Sequence, residues 1–201
     1  MGKSVVITGD IINSRKSKPA VWLGKLKETL SEFGKEKTDW EIYRGDSFQL
    51  IVLQKEGLTA ALVIKTALKS TGMDARIAIG LGEVDFKSSK VTESNGSAFV
   101  NSGKRFETLK KETLGIQTEN EKFDRTFGVI LSLVDLIISS WKPTTSEVVY
   151  TTLRNPGLNQ SELAKMLNKK SQGTISSALK RAGFDEIKNV LELYKSEVNE
   201  L

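Results

Sequence analysis

The 201-residue chain contains no cysteine and no histidine. The first absence excludes a disulfide scaffold and thiolate metal sites, and fits a reducing compartment. The second excludes Ser-His-Asp and Cys-His catalysis and removes the commonest zinc ligand. Any metal would be a hard cation held by oxygen. Long apolar runs are also missing. The longest, Val129 to Ile138, is interrupted by Ser132 and Asp135 and is too short to span a bilayer. Near the start, Val5-Val6-Ile7 is broken at once by Thr8-Gly9-Asp10, so no signal-peptide core forms there. The expectation is a soluble, cytoplasmic protein with no membrane partner. The length is enough for one large domain or two small ones. The net charge of +5 leans toward anionic partners.

Two apolar, β-type stretches each carry a Gly-Asp pair: Val5-Val6-Ile7-Thr8-Gly9-Asp10-Ile11, and Tyr43-Arg44-Gly45-Asp46-Ser47-Phe48. Each pair is expected at a strand end or hairpin tip, where Gly permits a tight turn and Asp projects. Two such carboxylates side by side would repel by ~4 kcal/mol at an effective dielectric of about 20. A divalent cation offsets that cost, which points to Mg²⁺ or Mn²⁺ and a triphosphate. Either Asp could instead serve its own turn, as Asp commonly does.

The pattern predicts a strand at Val5–Thr8 and a helix at Pro19–Phe33. A hairpin of Trp40–Tyr43 and Phe48–Leu53 follows, then a helix at Leu58–Leu68, a strand at Ala75–Gly80 and a helix at Ala98–Leu109. This β-α-β-β-α-β order is that of a ferredoxin-like, palm-type α+β domain. Residues 1–118 are assigned to it, and 119–142 to a connecting helix. After Pro143 the chain reads as helical only, so 143–201 is assigned to a second, all-α domain.

Within that second domain, Gln160–Leu167, a short polar break and Gln172–Ala182 resemble a helix-turn-helix. Leu163, Leu167, Ile175 and Leu179 would fill the core, with small Ala164 at the crossing. From Lys165 to Arg181 there are five basic residues and no acidic one, which suits a phosphate backbone. Ser171, Gln172, Thr174, Ser176 and Ser177 are the candidates for base and phosphate contacts; Lys169, Lys170, Lys180 and Arg181 are the candidates for phosphates. A helical bundle with a solvated basic face would show a similar pattern. The terminal helix, with Ile187, Leu191 and Tyr194 on one face, would cover the bundle or pair two chains.

Four segments in order, Thr8–Arg15, Arg44–Gln49, Arg76–Glu83 and Ser94–Phe99, together with the helix-turn-helix, resemble the SatD family. The first three are similar, more distantly, to class III nucleotidyl cyclases and GGDEF-type diguanylate cyclases. That second resemblance implies a palm fold with two-metal triphosphate chemistry. It would make Asp10 and Asp46 metal ligands and let the Ile11 carbonyl join them. Val100-Asn101 and Arg105 match the cyclase helix in which Asn orients the ribose and Arg acts on the transferring phosphoryl group. The chain departs from the pattern at Ile42 and Ser94, where adenine-reading cyclases have Lys and Asp. It also lacks the doubled Gly and the Glu of the diguanylate cyclase hairpin. Arg44 would bind phosphate or pair with Asp46. The reading is a DNA-binding regulator, expected as a homodimer, whose palm senses a nucleotide or phosphorylated small molecule. The alternative is an active nucleotidyl cyclase or nucleotidyltransferase, with Arg105 and Asn101 catalytic.

Overall fold

The computed structural model describes residues 3–169 and 171–201; Lys170 lies outside them. The chain is α+β, with a five-stranded mixed sheet and eight α-helices among the described residues. In chain order these are β1 (Ser4–Ile12), α1 (Leu23–Ser31), β2 (Trp40–Tyr43), β3 (Ser47–Leu53), α2 (Gly57–Ser70), β4 (Asp74–Gly82), α3 (Ser97–Thr108), β5 (Leu114–Gln117), α4 (Glu121–Ser139), α5 (Pro143–Arg154), α6 (Gln160–Met166), α7 (Gln172–Ala182) and α8 (Phe184–Glu197). The strand order is β2-β3-β1-β4-β5. All pairs are antiparallel except β4 with β5, which is parallel.

The sheet has two unlike faces because strand side chains alternate. Val5, Ile7 and Ile11 of β1, with Ile77 and Ile79 of β4 and Leu114 and Ile116 of β5, enter one apolar core. Leu26 and Leu30 of α1, Leu62 of α2, and Phe127 and Leu131 of α4 complete it. On the opposite face α3 packs on β4 and β1. Gly80 makes that approach possible, since a Cβ there would lie 2.1 Å from the Ser102 nitrogen. Thr8 Oγ1 meets Ser102 Oγ at 3.0 Å across the same contact. Beyond α3, the strip formed by Ser47, Gln49 and Ile51 of β3 is only half-buried.

α2 is buried on every side from Gly57 to Leu68, as an all-round apolar helix must be. The sheet covers one side and α5 another. Lys65, one of its two lysines, is wholly buried. The ammonium donates to Asp74 Oδ1 at 2.8 Å, to the Ala75 carbonyl at 2.9 Å and to Thr113 Oγ1 at 2.7 Å. Asp135 of α4 accepts from the Thr113 nitrogen at 2.7 Å and lies 3.6 Å from Lys65. One satisfied ionic group thus ties α2, β4, α4 and the entry to β5 together. On the outer side, α5 meets α1 through buried Tyr150. Its hydroxyl accepts from Arg154 at 2.7 Å, and Arg154 Nε lies 2.7 Å from Glu32.

The expected helix over Pro19–Phe33 is split. A 3-10 turn over Pro19–Val21 ends at Trp22, whose φ of −122° is not helical, and α1 begins after it. Trp22 is fully buried, so packing of its ring decides the backbone there. β5 was not expected. It exists because the free edge of β4 takes four residues in parallel register, Ile77 opposite Leu114 through Gly80 opposite Gln117. The apolar face of α8, Ile187, Leu191 and Tyr194, is buried within the same chain. Tyr194 donates to the Gln54 carbonyl at 2.9 Å and meets Phe127 edge-on, so this face of α8 packs on the segment after β3 and on α4.

Candidate functional site

The first Gly-Asp pair is not a turn. Gly9 and Asp10 lie inside β1, the central strand, with Asp10 paired to Ser47 of β3 and Arg76 of β4. Gly9 is needed there for space: a Cβ would lie 2.4 Å from the Phe48 ring. The second pair does form a hairpin tip. Arg44 (φ 52°) and Gly45 (φ 92°) both take left-handed backbone between β2 and β3, a conformation that favours Gly at the tip.

Asp10 and Arg76 are cross-strand partners on the α3 face. Arg76 donates through Nε to Asp10 Oδ1 at 3.0 Å and through Nη2 to Oδ2 at 2.5 Å. This bidentate geometry is the strong form of a carboxylate–guanidinium pair. Asp10 holds the Arg76 proton more tightly than usual, raising its pKa against a smaller desolvation effect. The guanidinium also lies 5.2 Å from the Phe106 ring centroid of α3. Asp46 accepts a hydrogen bond from the Ser14 hydroxyl, and its carbonyl accepts from the Ile11 nitrogen at 3.1 Å. Ile11 itself points its side chain into the core. Arg44 is exposed and makes no ion pair with Asp46 among the described residues. Burial lifts the Tyr43 hydroxyl above its ordinary value; Arg44 opposes this and the Asp10 carboxylate adds to it.

Asp10, Tyr43 and Arg76 therefore share one polar corner of the sheet face, while Asp46 and Ser14 pair at the adjoining hairpin tip, opposite Ile11. The Asp10 charge is already offset by Arg76, and no contact joins the two carboxylates among the described residues. Among the described residues no three Asp, Glu, His or Cys side chains form a metal-binding group. Asn101 and Arg105 lie elsewhere. Asn101 is buried and donates to the Leu81 carbonyl at 2.8 Å. Arg105 lies over β5, where a Cβ on Gly115 would be 2.2 Å from its Nε, and it pairs with Glu112 at 2.5 Å. Asp46 borders β3 and Arg105 covers β5, with β1 and β4 between. Three strand spacings separate them by roughly 14 Å. The sequence reasoning missed Arg76 as a partner. Its signal was a lone charge in the apolar run Ala75–Gly80.

The second candidate region is α6–α7. Asn159 and Glu162 form a reciprocal capping box at the start of α6. Ser171 caps α7, its hydroxyl accepting from the Thr174 nitrogen. Leu163, Ala164, Ile175, Ala178, Leu179 and Ala182 are buried between α5, α6 and α7. Gln172, Thr174, Ser176, Ser177, Lys180 and Arg181 are exposed along the other side of α7. Beside them an open groove of about 960 Å³ is bordered by Gln172, Ser176, Lys180 and Lys188 and also by the acidic Asp185 and Glu186. Lys169 stands apart, paired with Glu147 of α5 at 2.9 Å. No helix among the described residues is long and apolar enough to cross a membrane. No protein-family model matches the chain, and neither a curated protein nor a solved structure matches it.

Proposed function

We propose that the chain is a DNA-binding regulator with a layout that resembles that of the SatD family. In this reading α6–α7 is the helix-turn-helix, and the sheet domain senses a nucleotide or phosphorylated ligand. The observation that supports it most is α7 itself. Its apolar side is consumed by the core, and its outer side carries short polar residues and two basic ones. Short polar side chains at a helix start reach base edges and phosphates, while Lys180 and Arg181 would act on phosphates. Lys169 would contribute only by leaving Glu147, with which it forms a partly buried pair.

The strand order β2-β3-β1-β4 with antiparallel pairs, extended by β5, supports a ferredoxin-like palm. A ligand with phosphate groups suits the Asp10 corner because Arg76 and Arg44 are both at hand. Asp10 would accept Mg²⁺ or Mn²⁺ only by releasing Arg76, and the freed guanidinium would pair with phosphate oxygens. Such a partner exchange alters β1, the turn at Ser14 and hence α1. α1 is joined to α5 through Tyr150 and Arg154, so the exchange has a route to the helical domain. Cyclisation or nucleotidyl transfer rests on resemblance alone, since Asn101 and Arg105 lie far from Asp46.

The experiment is anisotropy of a labelled DNA duplex, with and without each nucleoside triphosphate and Mg²⁺ or Mn²⁺. Duplex binding at low salt whose affinity changes with one triphosphate supports the regulator. Absence of duplex binding overturns it. Pyrophosphate release in the same mixtures would instead establish the enzyme.

A further inference from the structure

α4 has two apolar sides. Phe123, Phe127, Leu131, Val134 and Ile138 face the core and are buried. Val129, Leu133 and Leu136 are 62%, 57% and 68% exposed. Their spacing of four and three residues sets them in one line along the outer side. From Thr126 to Ser140 the exposed positions, Thr126, Val129, Ser132, Leu133, Leu136, Ser139 and Ser140, carry no charge. In a chain that is 27% charged, so long a neutral strip on an exposed helix is unusual. Gly128 sits beside it with nothing within 4 Å of a would-be Cβ. A mid-helix glycine costs about 1 kcal/mol relative to alanine, so open space above it is consistent with close approach by another backbone.

We propose that this strip is the core of a two-fold interface between two copies of the chain, with the α4 helices antiparallel. The inference rests on the regulator reading for its purpose and on α4 for its geometry. The strip suits a second copy because it is self-complementary. An antiparallel partner brings Lys122 and Arg125, exposed near the N-terminal end, toward the carbonyl-rich C-terminal end of the facing helix. Leu133 then falls near the two-fold, with Val129 of one copy beside Leu136 of the other. The neutral centre offers nothing to phosphate, so nucleic acid is the wrong occupant. A closed, isologous contact of this type is the commonest route to a soluble dimer.

α4 is also placed to orient the DNA-binding helices. A Cβ at Gly183, which ends α7, would lie 3.7 Å from Ile137 Cγ2 of α4. A two-fold at α4 therefore fixes both copies of α7 relative to each other, as paired half-sites require. The helix pair alone is smaller than the ~800 Å² per partner of a standard interface. A concentration-dependent dimer is expected.

The natural absence of cysteine makes the test clean. Single cysteines are placed at Val129, Leu133, Leu136 and, as a control on α3, the exposed Lys104. Under mild oxidation Leu133→Cys should cross-link with itself. A mixture of Val129→Cys and Leu136→Cys should cross-link better than either alone. Lys104→Cys should stay monomeric on a non-reducing gel. Sedimentation velocity should show a dimer whose mass halves in Leu133→Glu, with an unchanged circular dichroism spectrum. A monomer at all concentrations with no Leu133→Cys cross-link would overturn the interface and leave the strip to a different protein. Self-cross-linking of Val129→Cys and of Leu136→Cys as strong as that of their mixture would overturn the antiparallel arrangement. Duplex binding measured on the same samples separates failure of the interface from failure of the regulator reading.

Discussion

Asp10 and Lys180 both stand on polar surface, yet their surroundings differ in kind. The Asp10 carboxylate receives two hydrogen bonds from Arg76 and lies beside a half-buried tyrosine. Lys180 and its neighbour Arg181 are exposed and make no ion pair among the described residues. A ligand reaching the sheet corner has to break a pair, so binding there is tied to rearrangement. A polyanion reaching α7 breaks nothing. In the proposed reading the corner would switch and the α7 surface would bind. The core of the chain shows the limit of the first type, in Lys65, where the cation is buried and paired with partly buried carboxylates.

Charge removal ranks these regions. The largest effect is expected at Lys65→Met, which leaves Asp135 without its cation and Asp74 with Lys69 alone. Breaking a buried pair on one side costs ~3–5 kcal/mol, read as a fall in the denaturant midpoint. Arg76→Gln should cost less, about 1–3 kcal/mol, because the Asp10 pair is partly solvated. It should also free Asp10, so that Mg²⁺ or Mn²⁺ alone raises the melting temperature more in the variant than in the natural chain. In the Asp10→Asn/Asp46→Asn double variant the metal-dependent part of any triphosphate-induced rise should disappear. If that rise persists in full, the ligand lies elsewhere.

How much of this contrast the sequence carried depended on how local its cause was. The α7 surface was legible, because a helix start, its Ser cap and its apolar period lie within a dozen residues of Lys169. The Gly45-Asp46 hairpin was legible for the same reason. The Asp10 corner was legible only by residue type. Its pairing with Arg76 depends on the register of β1 against β4, set by residues some sixty positions apart, which no local period encodes. β5 was hidden because four residues with a central glycine carry little strand signal. The cyclase resemblance makes Asn101 a ligand, but in the fold it is buried and donates to the Leu81 carbonyl, a long-range contact that no local pattern shows.

The smallest effect concerns pH. Burial raises the Glu32 carboxyl above its ordinary value, against the opposing pull of Arg154. The folded chain therefore holds that proton more readily than the unfolded one. Through this group stability falls as pH rises from below the ordinary carboxylate value through the raised one. Glu32→Gln should flatten that part of the melting profile between acid and neutral pH. An unchanged slope would mean that the α1–α5 contact is solvated.

The central claim is that α7 is a nucleic-acid surface, and a salt titration of duplex binding tests it most directly. The natural chain is compared with Lys180→Ala, Arg181→Ala and Lys180→Glu/Arg181→Glu. Each alanine change should leave stability within ~0.5 kcal/mol, as expected of exposed sites, and reduce the salt slope by about 1. The double charge reversal should abolish binding at salt concentrations where the natural chain still binds. Equal affinity and equal slope for all four proteins would contradict the account and return α7 to ordinary solvated surface.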